Sequence, residues 1–334
     1  MDRDRLAAWL RVPAESVRIE QLSGGSSNLT YLVEADGDRL VLRRPPLSHV
    51  LATAHDVGRE YRVQSALGAA TACDVPVPRM VAWCDDESVI GAPFYVMEWL
   101  DGVVYADANA VAHLSDGDAR AATDRLVDVL VALHAVDVDA VGLGDLGRRR
   151  GFVARQVARW RTQWSRSRAD GPSVVDDVGD RLGRWAEGLT DDASTLVHGD
   201  FSFNNTLWSR TAPAELLAVL DWEMATLGDP LTDLGMLTAY WGRAGELMWR
   251  NRAPQAHRAN TGFPPAEVLV DRYVAGSGRD AVDLGHYEAL AVYKLAVIVA
   301  GAAARLAGQG AADRAASART LTEELATLAL DLSR

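Results

Sequence analysis

The sequence is short of lysine, and this excludes one common way of binding nucleotides. Lys294 is the single lysine in 334 residues, so 33 of the 34 basic residues are arginine. A Walker A loop ends in Gly-Lys-Ser or Gly-Lys-Thr, and no such end exists here. Cationic side chains that contact phosphate must therefore be mainly arginines.

Cysteine and secretion signals are scarce as well. Cys73 and Cys84 are the only cysteines and have no metal-ligand spacing, so neither a disulfide framework nor a zinc site is predicted. The first ten residues mix acids with bases and lack the apolar core of a signal peptide, and we expect a cytoplasmic chain. The most apolar run, Leu295 to Leu306, is shorter than the ~20 residues of a spanning helix. It predicts a buried helix and no membrane partner.

The composition is that of a globular protein with an acidic balance. With 49% hydrophobic residues, the chain can bury a large core and divide into two lobes. The formal net charge of −12 argues against nucleic acid as a partner, because phosphate neutralisation needs a basic surface. A local basic pocket remains compatible with that charge.

The local patterns change near residue 100. Before it, strand patterns cover residues 17–19, 29–34 and 39–43, followed by a helix at 54–67 and strands at 79–83 and 94–100. After it, helices are predicted at 121–135, 152–165, 177–189 and beyond Pro230. We therefore predict an α+β chain with a small antiparallel-sheet lobe at 1–98, a hinge at about 97–102 and a larger helical lobe at 99–334.

Two features of the helical region bear on function. The stripe formed by Val153, Val157, Trp160 and Trp164 is typical of a core-facing helix surface. Arginines crowd the segment from Arg148 to Arg168, which forms either a solvated helix face or a site for an anionic carrier. The sequence leaves both alternatives open.

The residues that indicate chemistry lie between His198 and Asp233. Asp200 and Asn205 fall in a predicted loop, and Asp221 ends the apolar run that begins at Leu217. If these side chains converge, they provide an acceptor for a hydroxyl proton and oxygen ligands for magnesium. Phosphoryl transfer requires that combination.

This stretch resembles the aminoglycoside phosphotransferase and choline kinase branch of the protein-kinase-like superfamily. The family loop His-x-Asp-x-x-x-x-Asn is matched by His198, Asp200 and Asn205, and the family's later metal-binding aspartate is matched by Asp221. The similarity continues to Asp233. Three further stretches most resemble the kinase domains fused to some acyl-CoA dehydrogenases, namely Leu220 to Asp233, Leu42 to Pro46 and Ala54 to Tyr61.

The resemblance implies a bilobal protein-kinase-like fold and a role for each matched residue. Asp200 is the implied catalytic base, and Asn205 and Asp221 are the implied magnesium ligands. His198 and Asp233 are the implied supports of the loop. Asp229, just before Pro230, is a predicted helix cap. Glu223 is either a further metal ligand or a surface acid.

The resemblance also assigns a nucleotide site to the first lobe. A loop over the nucleotide phosphates is expected at Gly24, Gly25, Ser26, Ser27 and Asn28. Where relatives have a lysine, this chain has Arg43, and strand alternation separates it from Arg44. Glu60, an acid on an apolar helix face, is its predicted partner. The hinge residues Met97, Glu98 and Leu100 are expected to meet the adenine.

Three functions remain open at this point. The first is a kinase that uses ATP or GTP with Mg²⁺ to phosphorylate a small-molecule hydroxyl, such as that of a hydroxyacyl-CoA. The second is an aminoglycoside antibiotic phosphotransferase, and the third is a non-catalytic nucleotide-binding module. Lys294, on its apolar helix, either faces the acceptor pocket or reaches solvent, and the second position is favoured. Oligomeric state is not indicated by the sequence.

Overall fold

The computed structural model describes residues 1–22, 28–46, 56–70, 73–167, 173–189, 194–250 and 255–334. Gly24, Gly25, Ser26 and Ser27 of the predicted phosphate loop lie outside these residues. Arg168, the predicted end of the arginine-rich segment, lies outside them too. The architecture below therefore refers to the seven described ranges.

An antiparallel five-stranded sheet forms the first lobe, in the order β1-β2-β3-β5-β4. Its strands are β1 (Arg18–Gln21), β2 (Leu29–Ala35), β3 (Asp38–Arg44), β4 (Met80–Cys84) and β5 (Phe94–Glu98). Between β2 and β3, Asp36 and Gly37 have φ values of 51° and 90°. A two-residue hairpin turn of this type needs two left-handed residues, which is why Asp-Gly suits it. The predicted antiparallel sheet is confirmed.

Thirteen α-helices account for most of the remaining described residues. They are α1 (Arg3–Leu10), α2 (Val57–Ala69), α3 (Glu87–Ile90), α4 (Ala108–Val111), α5 (Asp116–His134), α6 (Phe152–Ser167), α7 (Val174–Glu187), α8 (Leu231–Trp241), α9 (Arg243–Trp249), α10 (Ala256–Ala259), α11 (Ala266–Ser277), α12 (Leu284–Gly308) and α13 (Ala312–Leu332). The predicted helices at 121–135, 152–165 and 177–189 correspond to α5, α6 and α7. α5 begins earlier than predicted, because Ser115 and Asp118 form a capping box at its start.

Helix α2 carries an acid into the interior of the first lobe. Asp56 caps it by accepting a hydrogen bond from the Arg59 amide at 3.0 Å. Its buried face includes Glu60 together with the predicted apolar positions Val57, Val63 and Leu67. Glu60 is fully buried below the sheet.

The segment that connects the lobes begins earlier in the chain than the sequence predicts. β5 ends at Glu98, two residues before the predicted end of that strand. A two-residue strand, β6 (Gly102–Val103), then pairs with the second lobe. A Cβ on Gly102 would lie 2.6 Å from Cγ of Leu207, so only glycine fits this crossing. The division of the chain at residue 98 stays a prediction.

Four further strands hold the loops of the candidate site. They are β7 (Thr195–Val197), β8 (Thr206–Ser209), β9 (Leu216–Val219) and β10 (Thr226–Gly228). β7 pairs with β10, and β8 lies between β6 and β9. The amide of Leu220 donates to the carbonyl of Asn205 at 2.8 Å. The loops at 198–205 and 220–225 are therefore neighbours.

The second lobe is organised around α12, which packs against α6, α7, α8 and α13. Val153, Val157 and Trp160 of α6 are buried in this core and Trp164 is half-buried, which agrees with the predicted stripe. α12 has 25 residues and is long and apolar enough to cross a membrane by length and composition. Its apolar window is 67% buried, however, so its central place in the core accounts for its composition. The predicted buried helix is present and longer than expected.

Candidate active site

Asp233 holds the loop that follows β7. Its Oδ2 accepts a hydrogen bond from the amide of His198 at 2.6 Å, and its Oδ1 accepts one from the amide of Gly199 at 2.7 Å. Gly199 has a φ of 84°, and a Cβ there would lie 2.9 Å from Cβ of Met224. The carboxylate and the glycine together fix the path of the chain into Asp200.

We expect Asp233→Asn to lower the free energy of unfolding by about 2–4 kcal/mol, because an amide nitrogen would face one of two buried backbone donors. Burial alone would raise the pKa of Asp233, but hydrogen bonds from the His134 side chain and the His198 amide, with favourable electrostatic interactions with both residues, outweigh it and lower that pKa. A carboxylate with a depressed pKa stabilises the fold above its unfolded-state pKa. That stabilisation is lost as pH falls through the folded-state pKa.

Denaturant unfolding of Asp233→Asn and the unsubstituted chain, measured from about pH 7 down to about pH 3, checks this expectation. The difference in unfolding free energy should shrink in acid. Asp271→Asn makes the same chemical change at an exposed position in the middle of α11 and should leave stability unchanged. A difference that does not vary with pH would contradict the role given to the Asp233 carboxylate.

His198 braces the same loop with both ring nitrogens. Nε2 lies 2.9 Å from the carbonyl oxygen of Leu220, which can only accept, so Nε2 carries the hydrogen. Nδ1 accepts a hydrogen bond from the amide of Asp200 at 3.2 Å. The ring also packs against Trp222, with 4.8 Å between centroids. Neither nitrogen of this buried ring is left to take a proton from a substrate.

Asp200 lies where three other side chains meet. Its Oδ2 accepts a hydrogen bond from Nδ2 of Asn205 at 3.1 Å, and its Oδ1 accepts one from the hydroxyl of Tyr240 at 3.2 Å. Nζ of Lys294 lies 3.9 Å from Oδ1. Burial and the Asp200 charge raise the pKa of Tyr240 well above its ordinary value, so its hydroxyl remains a donor. The Asp200 side chain is 33% exposed and remains accessible.

The donor set beside Asp200 suits magnesium. Asn205 uses its amide nitrogen on Asp200, which leaves its Oδ1 as the oxygen for a ligand. Asp221 follows β9 with φ 65° and ψ 63°, and its side chain is 38% exposed. Carboxylate oxygens of Asp221, Glu60 and Glu223 all lie within 4.8 Å of one another. Hard oxygen donors of this kind are those that Mg²⁺ prefers.

Arg43 bridges two of these carboxylates. Its Nη1 lies 3.0 Å from Oε2 of Glu60, and its Nη2 lies 3.2 Å from Oδ1 of Asp221. Burial opposes the charge of Arg43, but Tyr95, Glu60 and Asp221 together raise its pKa above the ordinary value. Arg44 points to the other side and contacts the Tyr31 hydroxyl at 3.4 Å. The structure thus contains the ion pair that the sequence predicts between Arg43 and Glu60.

Glu60 receives two further hydrogen bonds in its buried position. The hydroxyl of Tyr95 donates to Oε2 at 2.8 Å, and Nδ2 of Asn28 donates to Oε1 at 2.5 Å. Nδ2 of Asn28 also lies 3.5 Å from Oε2 of Glu223. Asn28 therefore connects the end of the predicted phosphate loop to the acidic cluster across the lobes.

The predicted hinge residues lie at the end of β5. Met97 is buried, whereas Glu98 and Leu100 are half-buried. The amide of Glu98 donates to the carbonyl of Arg79 at 3.0 Å, and its side chain accepts from the Arg79 amide at 2.8 Å. An adenine contact in this segment would therefore use backbone beyond the Glu98 amide, around Leu100.

A cavity of about 450 Å³ opens beside residues 198–205, the predicted catalytic loop, with Gly199 and Lys294 in its wall. The other cationic side chains in the wall are Arg59, Arg148, Arg155 and Arg159. Its apolar wall comprises Phe152, Trp160, Met224, Ala225, Met236, Leu290 and Ala291. Arg155 hydrogen-bonds backbone carbonyls, which are neutral and do not cancel its charge. Arg59 also hydrogen-bonds a backbone carbonyl, but its Nε lies 3.9 Å from Oδ2 of Asp56. Glu223 contributes the carboxylate of this wall.

The favoured prediction, that Lys294 reaches solvent, is wrong. Its Nζ is buried and donates to the carbonyl of Gly199 at 2.7 Å instead of reaching solvent. α12 is covered by other helices on nearly all sides, so an apolar pattern could not reveal which position faces a polar site. Tyr240 was not predicted either. The sequence signal that could have drawn attention to Lys294 is that it is the single lysine of an arginine-rich chain.

The sheet lobe, the helical lobe and the acidic loops between them define the class: this is a protein-kinase-like phosphotransferase. A sequence profile of the phosphotransferase enzyme family matches residues 18–269, and the chain belongs to that family. A Ralstonia eutropha protein assigned as an aminoglycoside phosphotransferase has a similar structure. It is 32% identical with a TM-score of 0.83, over 99% of this chain and 98% of that one.

The curated relatives that match this chain are longer proteins. Acyl-CoA dehydrogenase family member 10 of Mus musculus is 34% identical over 94% of this chain, and family member 11 of Gallus gallus is 33% identical over 98%. The chain spans 29% and 42% of their lengths. The aminoglycoside phosphotransferase APH(4)-Ia, solved with ADP and hygromycin B, has a TM-score of 0.63 at 17% identity over 98% of both chains. That likeness concerns the fold.

Proposed function

We propose that this protein transfers the γ-phosphoryl group of ATP or GTP to a hydroxyl of a small molecule, with Mg²⁺. The observation that supports the proposal is the adjacency of two loops: Nδ2 of Asn205 donates to Asp200, and the amide of Leu220, just before Asp221, donates to the carbonyl of Asn205. Arg43 in turn bonds to Asp221. Family membership gives the same class of reaction. The retained acids and amide weigh against a non-catalytic module.

Asp200, His198 and Asp233 have different roles in this reaction. Asp200 orients the acceptor hydroxyl and takes its proton as the oxygen bonds to the γ-phosphorus. The bond from that phosphorus to the β–γ bridging oxygen breaks, and its electron pair stays on the nucleoside diphosphate. Asp200 then returns the proton to solvent. His198 and Asp233 keep the loop in place through these steps.

Asn205 Oδ1 and Asp221 would hold the magnesium ion, with Glu223 as a further carboxylate within reach. The ion supplies positive charge to the phosphate oxygens and orients them for transfer. Arg43 pairs with Asp221, and we propose that its guanidinium turns toward the nucleotide phosphates when these are present. Gly24 to Ser27 and Asn28 are proposed to cover those phosphates, and the backbone around Leu100 to meet the base.

The cavity favours an anionic acceptor with an apolar part. Among the described residues, its wall contains four arginines and Lys294 but one carboxylate, that of Glu223. Carriers that contain phosphate groups bind such a cationic surface well. The apolar side of the same cavity can take a hydrocarbon chain. A hydroxyacyl-CoA or related metabolite combines both features. The names of the mouse and chicken relatives point to acyl-CoA chemistry as well.

An aminoglycoside is the alternative acceptor, motivated by the structural relatives. Aminoglycosides are polycations, however, and the cationic cavity wall would repel them. A turnover screen should therefore compare hydroxyacyl-CoAs that differ in chain length and hydroxyl position with a panel of aminoglycosides, using Mg-ATP and Mg-GTP. Phosphorylation of aminoglycosides alone would overturn the proposed acceptor, and phosphorylation of neither would overturn both.

Loss of the exposed arginines of the cavity should weaken acceptor binding. We expect the double substitution Arg148→Ala and Arg159→Ala to raise KM for a hydroxyacyl-CoA about 10-fold or more, with kcat nearly unchanged, because it removes attraction and not chemistry. The effect should diminish at high salt. Arg166→Ala, at an exposed position of α6 outside the cavity wall, is the control. Equal KM values for both variants would contradict an anionic acceptor site there.

A further inference from the structure

Lys294 is a buried cation to which the phosphoryl-transfer steps described so far assign no role. It lies on the central helix α12 with 6% of its surface exposed. Burial lowers the pKa of Lys294, although Asp200 and Asp233 oppose that shift. A buried ammonium costs free energy that an apolar side chain of similar size would not. A buried lysine is therefore expected to bind a polar partner or to act in the reaction.

The contacts of Nζ show on which part of the site Lys294 could act. One hydrogen bond goes to the carbonyl of Gly199 at 2.7 Å. An ammonium has three donors, so two remain beyond that bond. Lys294 also lines the cavity next to the catalytic loop. Its charge thus lies between the cavity and Asp200.

The distance from Nζ to Asp200 is informative. At 3.9 Å from Oδ1, the ammonium is too far for a direct hydrogen bond. Two hydrogen bonds of about 2.8 Å that meet near a right angle at one oxygen atom span that gap. A hydroxyl oxygen placed there can donate its hydrogen to Asp200 and accept one from Lys294.

On the basis of the proposed phosphoryl transfer, we propose that Lys294 is a second catalytic residue, which binds the attacking hydroxyl oxygen together with Asp200. As this oxygen bonds to the γ-phosphorus, its proton passes to Asp200 and the ammonium keeps its own protons. The positive charge stabilises the negative charge that develops on the attacking oxygen and on the adjacent phosphoryl oxygens. Tyr240 donates to the same Oδ1 but carries no charge and cannot replace this contribution.

Three possible roles of Lys294 predict different measurements: catalysis, attraction of the acceptor and support of the loop. A catalytic cation raises kcat, whereas a cation that only attracts an anionic acceptor lowers KM. A cation that only braces the Gly199 carbonyl affects stability and loop geometry, and hence nucleotide binding. Kinetics, nucleotide affinity and thermal unfolding of one set of variants therefore separate the alternatives.

The test compares Lys294→Met, which keeps the length of the side chain and removes its charge, with Ile298→Met. Ile298 lies one turn further along α12 and is 38% exposed, so its substitution is the matched control. We expect Lys294→Met to lower kcat about 10- to 100-fold with Mg-ATP and a hydroxyacyl-CoA, with nucleotide Kd and Tm near those of the unsubstituted chain. Unchanged kcat, a rise in KM alone, or a kcat loss accompanied by lower Tm and weaker nucleotide binding would each overturn the proposal.

Basal ATP hydrolysis makes this test independent of the acceptor. Water can take the place of the acceptor hydroxyl between Asp200 and Lys294, so Lys294→Met should slow hydrolysis by a similar factor. If the unsubstituted chain phosphorylates no hydroxyacyl-CoA, the proposed acceptor fails while the hydrolysis measurement still decides the role of Lys294. Equal hydrolysis rates for Lys294→Met and Ile298→Met would overturn that role.

Discussion

Asp200→Asn is expected to lower kcat by about three to four orders of magnitude, which is the largest effect of any single substitution considered. The amide has the shape of the carboxylate but cannot take the proton of the acceptor hydroxyl. It also removes the negative charge that orients this hydroxyl toward the γ-phosphorus. Because Asp200 is proposed to contact the acceptor and not the nucleotide, the affinity for Mg-ATP should stay within a few-fold.

Steady-state turnover together with nucleotide titration checks this expectation. Asp177→Asn makes the same chemical change on the exposed surface of α7 and should leave both quantities unchanged. His198 cannot substitute for Asp200 as a base, since both its ring nitrogens are engaged. Turnover retained in Asp200→Asn would therefore contradict the proposed mechanism and favour a different proton acceptor.

Arg43→Met is expected to damage both stability and turnover. Glu60 is fully buried, and Arg43 is the cation 3.0 Å from its Oε2. Removal of one partner from a buried ion pair typically costs about 3–5 kcal/mol, and we expect a loss of that size in the free energy of unfolding. Loss of the proposed phosphate contact should also lower kcat/KM about 10²- to 10³-fold.

Two further variants separate these effects. Arg43→Met with Glu60→Gln removes both charges, so most of the stability should return while turnover stays low. Arg18→Met makes the same chemical change on β1, where the side chain is 84% exposed and its ion pair with Glu34 is 4.0 Å long, and should change neither. Recovery of turnover along with stability in the double variant would contradict a direct role of Arg43 at the phosphates.

Lysine at position 43 would keep the positive charge but not the contacts that Arg43 makes. The guanidinium contacts Glu60 and Asp221 with two different nitrogens, at 3.0 and 3.2 Å. A single ammonium cannot reproduce that planar bridge. The arginine therefore couples the buried acid of the first lobe directly to the proposed metal ligand of the second.

Several features followed from local sequence signals. The spacing of His198, Asp200, Asn205 and Asp221 indicated the family, because a loop and the following hairpin place such residues together whatever surrounds them. The three- and four-residue spacing along α2 identified Glu60 as an inward acid, and strand alternation separated Arg43 from Arg44. The Asp-Gly turn and the α6 stripe were predictable for the same reason. Each depends on neighbours in sequence.

The sequence by itself thus determined the family and the α+β class, and it predicted the site residues Asp200, Asn205 and Asp221. Only the tertiary structure decided what surrounds them. Lys294 meets Gly199 across 95 residues of chain, and Tyr240 meets Asp200 across 40. Such contacts depend on how α8 and α12 pack, which local periodicity does not encode. The same packing brings the arginines of α6 to the catalytic loop, and so determines the charge that an acceptor meets.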